Sequence, residues 1–173
     1  MLPTLSRTAS ALMAAVVVGG CGYQPVRTAS SRAEAWCVTS GPEPGTHPQA
    51  VVSLEFGARD TLAQRDRLVS CDQGATLVIQ VLDVRFEPVG IVAQQDDPSA
   101  RSTRVKVTAT AHVRSEGQRK DLGVVTEEYV VANGSTPMAE ENARAVGVVS
   151  AARRAGESLA RRLLGEPVQS ANP

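Results

Sequence analysis

Aromatic side chains are scarce: one Trp, two Tyr and two Phe in 173 residues. A platform for single-stranded nucleic acid needs a ring under each base, so nucleic acid is not an expected partner. An excess of either charge is also missing. Lys+Arg number 18 and Asp+Glu number 18, so no single-sign field covers the molecule to gather polyanions. The only histidines are His47 and His112, and the three cysteines, Cys21, Cys37 and Cys71, contain no Cys-x-x-Cys, so neither a metal site nor a cofactor is expected. Neither histidine has a nucleophile partner evident in the sequence, and the one glycine-dense stretch, Gly19-Gly20-Cys21-Gly22, ends an apolar run and is no phosphate loop. Catalysis is therefore not expected, and the chemistry on offer is binding. Hydrophobic residues at 42% and charged residues at 21% are ordinary for one globular domain, whose core must be built from Val, Leu and Ala.

The N-terminus carries the most specific signal. Arg7 precedes Ala11 to Val18, an unbroken apolar run too short to span about 30 Å of hydrocarbon. Val18-Gly19-Gly20-Cys21 follows, and it resembles a lipobox, in which small residues admit the chain to a signal peptidase and the cysteine thiol carries diacylglycerol. An ordinary signal peptide cut near Gly20 is the alternative. Residues 1–20 are read as the signal peptide, Cys21 as the lipidation site, and 21–33 as the lipidated N-terminus and tether, since Gly22 to Arg32 has no apolar periodicity. Gly22 stands where Asp would retain such a lipoprotein at the inner membrane. The resemblance thus implies the periplasmic face of the outer membrane.

Residues 34–165 are expected to form a single domain and 166–173 a tail. Glu34 to Thr39 predicts a strand, which Ser40-Gly41-Pro42-Glu43-Pro44-Gly45 ends. Thr46-His47-Pro48-Gln49 has capping-box spacing with Thr46 as N-cap, and Val51, Leu54, Ala58 and Leu62 make one apolar stripe on a helix to about Gln64. Arg67 to Cys71 predicts a short closing strand. The nearly continuous apolarity of Thr76 to Phe86 suits a central strand, and Gln94 to Ser99 predicts a mobile loop. Arg104 to Arg114 alternates, with Val105, Val107, Ala109, Ala111 and Val113 on one side and Arg104, Lys106, Thr108, Thr110, His112 and Arg114 on the other. Glu116-Gly117-Gln118 turns the chain into a hairpin with Leu122 to Ala132. A last helix starts at Thr136-Pro137, buries Val148, Ala152, Ala155, Leu159 and Leu163, and ends with Arg161 and Arg162 near its negative pole. The fold class expected is α+β: a two-layer sandwich with both helices on one face of a mixed sheet of about four strands.

Cys37 and Cys71 lie in two strand-like runs of a chain read as exported. They are either bridged, which the oxidising compartment favours, or two buried thiols.

The layout resembles a known family, the lipopolysaccharide-assembly lipoproteins of the outer membrane (the E component of the Lpt transport pathway). The resemblance is carried by Cys21-Gly22-Tyr23, by the order of elements, by Glu128-Tyr129 in the last strand and by Ala160-Arg161-Arg162-Leu163-Leu164 ending the last helix. It implies a non-enzymatic partner of a large outer-membrane β-barrel translocon that helps the barrel assemble and contacts lipopolysaccharide. The sequence departs from better-known members in its Cys37 and Cys71 pair and its Gly/Pro-rich first loop. Under this reading the basic stripe of Arg104, Lys106 and Arg114, with Arg101 at the start of the strand and Arg85 across the sheet, is the candidate surface for lipid phosphates, because a guanidinium can hold a phosphate through two N–H bonds. The alternative is that alternation merely places charges on a solvated face. A second function class is a tethered activator or scaffold of another envelope complex, such as a peptidoglycan synthase. A tether reaching at most about 35 to 40 Å favours a partner in or beside the anchoring membrane.

Overall fold

The computed structural model of the chain describes residues 34–41, 47–92 and 99–167. The signal-peptide, lipidation and tether readings, the loop from Gln94 to Pro98 and the end of the tail lie outside those residues.

Six elements follow one another: β1 (Trp36–Ser40), α1 (Pro48–Ala63), β2 (Ala75–Val92), β3 (Ser99–Ser115), β4 (Gln118–Ala132) and α2 (Pro137–Leu163). The sheet has the order β1-β2-β3-β4, with β1 parallel to β2 and the other pairs antiparallel. It is the expected α+β arrangement of two helices and a mixed four-stranded sheet. The apolar run of β2 sits in the middle of the sheet, as its composition required.

Alternation in β3 sorts its residues as the pattern demands. Val105, Val107 and Ala109 are fully buried and Ala111 nearly so, in a core with Leu77 and Ile79 of β2, Leu54, Ala58 and Leu62 of α1, and Val148, Ala152, Ala155 and Leu159 of α2. With so few rings, the helices must approach closely to fill this core. Gly57 of α1 lies against the Arg153 carbonyl of α2, and Gly156 of α2 lies against the Leu54 carbonyl of α1; a methyl group at either position would collide with that backbone. The outer corner of this contact is tied by Arg153, which is paired with Asp60 at 3.0 Å and stacked on Phe56 at 4.9 Å.

Two sequence expectations are corrected. Arg67 to Cys71 does not form a strand: only Leu68 bridges to Trp36, and the segment is held by the Trp36 N–H donating to the Arg67 carbonyl at 2.8 Å and the Val69 N–H donating to the Trp36 carbonyl at 3.0 Å. The next carbonyl along that edge of β1, Val38, accepts from the Arg59 guanidinium of α1 at 2.9 Å, so the pairing stops after Val69. The N-cap of α1 is His47, with no side-chain cap hydrogen bond, and not Thr46, which lies outside the described residues. The α2 cap follows expectation, with the Thr136 hydroxyl accepting from the Ala139 N–H at 3.2 Å and proline at the first helical position. The first residue of the expected tail is not loose either, since Glu166 pairs with Arg65 at 3.0 Å.

Candidate functional site

The sheet face opposite the helices carries the candidate residues, and the strand register decides what each one meets. At one end, Lys106 of β3 lies between Arg85 of β2 and Glu128 of β4, while Arg104 lies between Glu87 and Val130. Cross-strand neighbours on one face are close enough for long side chains to pair. Lys106 Nζ contacts Glu87 at 3.1 Å and Glu128 at 3.2 Å, Arg104 contacts Glu128 at 3.4 Å, and Arg85 contacts Asp83 at 2.5 Å. Three cations are thus met by three carboxylates, in a lattice with no excess of charge. Hydrogen bonds that the Lys106 ammonium donates to Glu87 and then to Glu128 raise its pKa above the usual lysine value, so the charge persists. A phosphate arriving here must displace carboxylates that already hold the cations.

At the other end, the β3–β4 hairpin turns through Glu116 and Gly117, both with left-handed backbone (φ 47° and 79°). A two-residue loop of this kind suits the twist of a hairpin, and it sets Ser115 opposite Gln118 and Arg114 opposite Arg119. His112 then faces Asp121. Arg119 Nε donates to Asp121 at 3.0 Å, whereas Arg114 has no ion pair or hydrogen bond among the described residues. The His112 Nε2 is buried with no hydrogen-bond partner among the described residues, and the His112 pKa is lowered first by burial and then by the Arg119 and Arg114 charges, partly offset by Asp121.

Arg104, Lys106 and Arg85 are therefore together, Arg114 is at the far end of the same face, and Arg101 lies in β3 with a side chain outside the described set. Sequence reasoning missed the lattice carboxylates Asp83 and Glu87 and the opposed Arg119. Arg119 was findable, because a two-residue loop at Glu116-Gly117 places it across from Arg114.

The expected bridge between Cys37 and Cys71 is present, with Cα atoms 4.8 Å apart. Cys37, Thr76, Arg114 and Arg119 share one row across the four strands. A separate groove of about 410 Å³ lies where α1 begins, lined by His47, Pro48, Phe86, Arg144 and Val148 among others.

No family model matches the sequence, and no curated protein matches it. Solved structures do. Rare lipoprotein B from Shewanella oneidensis is similar with a TM-score of 0.52 at 9% identity, over 76% of this chain and 95% of that one. A candidate lipoprotein from Caulobacter crescentus (TM-score 0.48, 17% identity, 76% and 93% covered) and a minor lipoprotein from Acinetobacter baumannii (0.47, 10%, 76% and 95%) are also similar. At such identities the likeness is one of fold, and the chain shares that fold with rare lipoprotein B from Shewanella oneidensis.

Proposed function

We propose that the chain is a lipoprotein anchored through Cys21 at the periplasmic face of the outer membrane, where it assists assembly of a lipopolysaccharide-translocating β-barrel and contacts lipopolysaccharide. The observation that carries this reading is the fold likeness to rare lipoprotein B across nearly the whole of that protein, joined to the Val18-Gly19-Gly20-Cys21 pattern upstream of the domain. The neighbour's name supports the lipoprotein class; the translocon role comes from the family resemblance of the layout. The function is binding and not catalysis.

Two measurements test it. Mass spectrometry of the membrane fraction should find an N-terminal Cys21 bearing acyl chains, and Cys21→Ala should leave an unprocessed precursor; an unlipidated N-terminus elsewhere refutes the anchor. Affinity purification from detergent-solubilised outer membrane should recover a large β-barrel protein, and depletion should impair its assembly. Recovery of a peptidoglycan synthase in place of a barrel assigns the chain to the scaffold class.

A further inference from the structure

The solvent face of the sheet is electrically uneven, and the unevenness lies at the hairpin end. Arginines directly opposite one another across an antiparallel pair are unfavourable unless something negative lies between them. Arg114 and Arg119 are so placed, and the carboxylate beside their row, Asp121 opposite His112, bonds Arg119 and leaves Arg114 unpaired among the described residues. Between them is a concavity of about 320 Å³, lined by Arg114, Ser115, Glu116, Gly117, Gln118 and Arg119. Among the described residues, Glu116 at the turn makes no ion pair with either arginine, and Arg119 pairs with Asp121.

We propose that Arg114 and Arg119 form a site for a phosphate monoester at the hairpin tip, and that the phosphate is held here and not by the Arg104 and Lys106 lattice. Two guanidinium forks can each present a pair of N–H donors to phosphate oxygens, and the strands fix their separation. The bound dianion completes a row that the protein leaves unbalanced. His112, the next residue on that face of β3, lies in the same surroundings: burial first, then the Arg119 and Arg114 charges, disfavour its protonation, and Asp121 partly offsets them. The proposal rests on the reading of this face as one that contacts anionic lipid, but not on any translocon, so co-purification and the present test fail independently.

The test uses the full chain bearing Cys21→Ser, followed by NMR of the His112 ring during titration with inorganic phosphate against chloride at matched ionic strength. Phosphate should raise the His112 pKa, because a dianion between the arginines offsets their charge. The shift should be lost in R114Q/R119Q and retained in R104Q, and E116Q should lower the phosphate concentration needed. No shift beyond that with chloride, or a shift that survives R114Q/R119Q, overturns the site. Because Arg114, Glu116 and Arg119 are exposed and Arg104 is half-buried, an unchanged amide spectrum elsewhere verifies the fold of each variant. Vesicles of phosphatidylcholine with and without phosphatidic acid separate the sources: sedimentation that needs phosphatidic acid and both arginines assigns a lipid headgroup. Response to free phosphate without sedimentation assigns a soluble phosphate ester. Sedimentation equal in wild type and R114Q/R119Q counts against the site.

Discussion

The two ends of the sheet's solvent face are built from the same strand pattern and end in different electrostatic states. Near Arg104 and Lys106, carboxylates from β2 and β4 meet each cation; near Arg114, the neighbour across the hairpin is another arginine. The strand β3 contributes a basic stripe to both. What differs is the register that delivers the partners, so whether a cation is free is a property of the pairing and cannot be read from one strand alone.

The disulfide at the hairpin end of the sheet should give the largest effect when broken. Cys37 shares its row with Arg114 and Arg119, and the bridge to Cys71 closes a loop with a sequence separation of 34. Replacing both cysteines by serine should cost about 3 to 4 kcal/mol by the chain-entropy account, read as a lower urea midpoint in the double variant. Amide exchange should quicken in the Cys37 row before it does around Lys106. Equal loss of protection at both ends would mean that the sheet does not divide in this way.

The next effect concerns the joint between the two ends. Register shifts between Thr110 and His112, where the segment of β4 containing Gly123 holds an extra residue. Gly123 sits at φ 81°, in the left-handed region, and its carbonyl accepts from the Thr110 hydroxyl at 2.9 Å. Arg162 of α2 donates to the carbonyls on either side, at 3.4 Å to Leu122 and 2.9 Å to Val124. The extra residue switches which side chains face solvent, so that Arg119 and Asp121 share a face with Thr126 and Glu128. Gly123→Ala should cost about 1 to 3 kcal/mol for the forced backbone, measurable by thermal unfolding. If the bulge relaxes instead, cross-strand contacts by NMR will pair Arg114 with a different residue and the opposed arginines will disappear.

Much of this fold is legible in the sequence itself. The alternation of Val105, Val107, Ala109 and Ala111 placed the core, because period two leaves no other face for it. The cysteine bridge is the one of two open readings that the expected oxidising compartment favours, and it is present. The helix-capping residue of α1 and the fate of Arg67 to Cys71 did not follow: local pattern cannot tell a strand from a segment pinned by two hydrogen bonds and a disulfide. The candidate site was half legible. Its arginines stood in the alternating strand, but the carboxylates that occupy Arg104 and Lys106 come from two other strands whose register depends on bulges between Val81 and Asp83 and between Thr110 and His112.

A smaller effect sharpens the lattice end. Exposed ion pairs contribute about 0.2 to 1 kcal/mol and are screened by salt. Arg104→Gln should therefore lower stability by no more than that, with the difference from wild type shrinking as salt rises. Glu87→Gln with Glu128→Gln should do more to binding than to folding, by freeing two cations on the face. Electrophoretic mobility and phosphate titration of the variant check whether the lattice end then behaves like the hairpin end.

The smallest effect is the pH response of His112. Its folded pKa is lowered, by burial first and by Arg119 and Arg114 next. A lowered histidine pKa means that the unfolded chain takes up a proton which the folded chain resists, so the unfolded state binds more protons and stability falls as pH falls. The loss begins near the ordinary histidine value of about 6.5 and continues down to the folded value; above that window both states are neutral and the term vanishes. His112→Gln should remove this part of the slope, seen as a shallower fall of the unfolding midpoint between neutral and mildly acidic pH. Arg114→Gln should shrink it partially, because burial remains, whereas Arg104→Gln should leave it intact, because the charges that act on His112, Arg119, Arg114 and Asp121, all lie at the hairpin end. A slope unchanged in the histidine variant would assign the acid sensitivity to other groups and show that the positive field of the opposed arginines is screened before it reaches the ring.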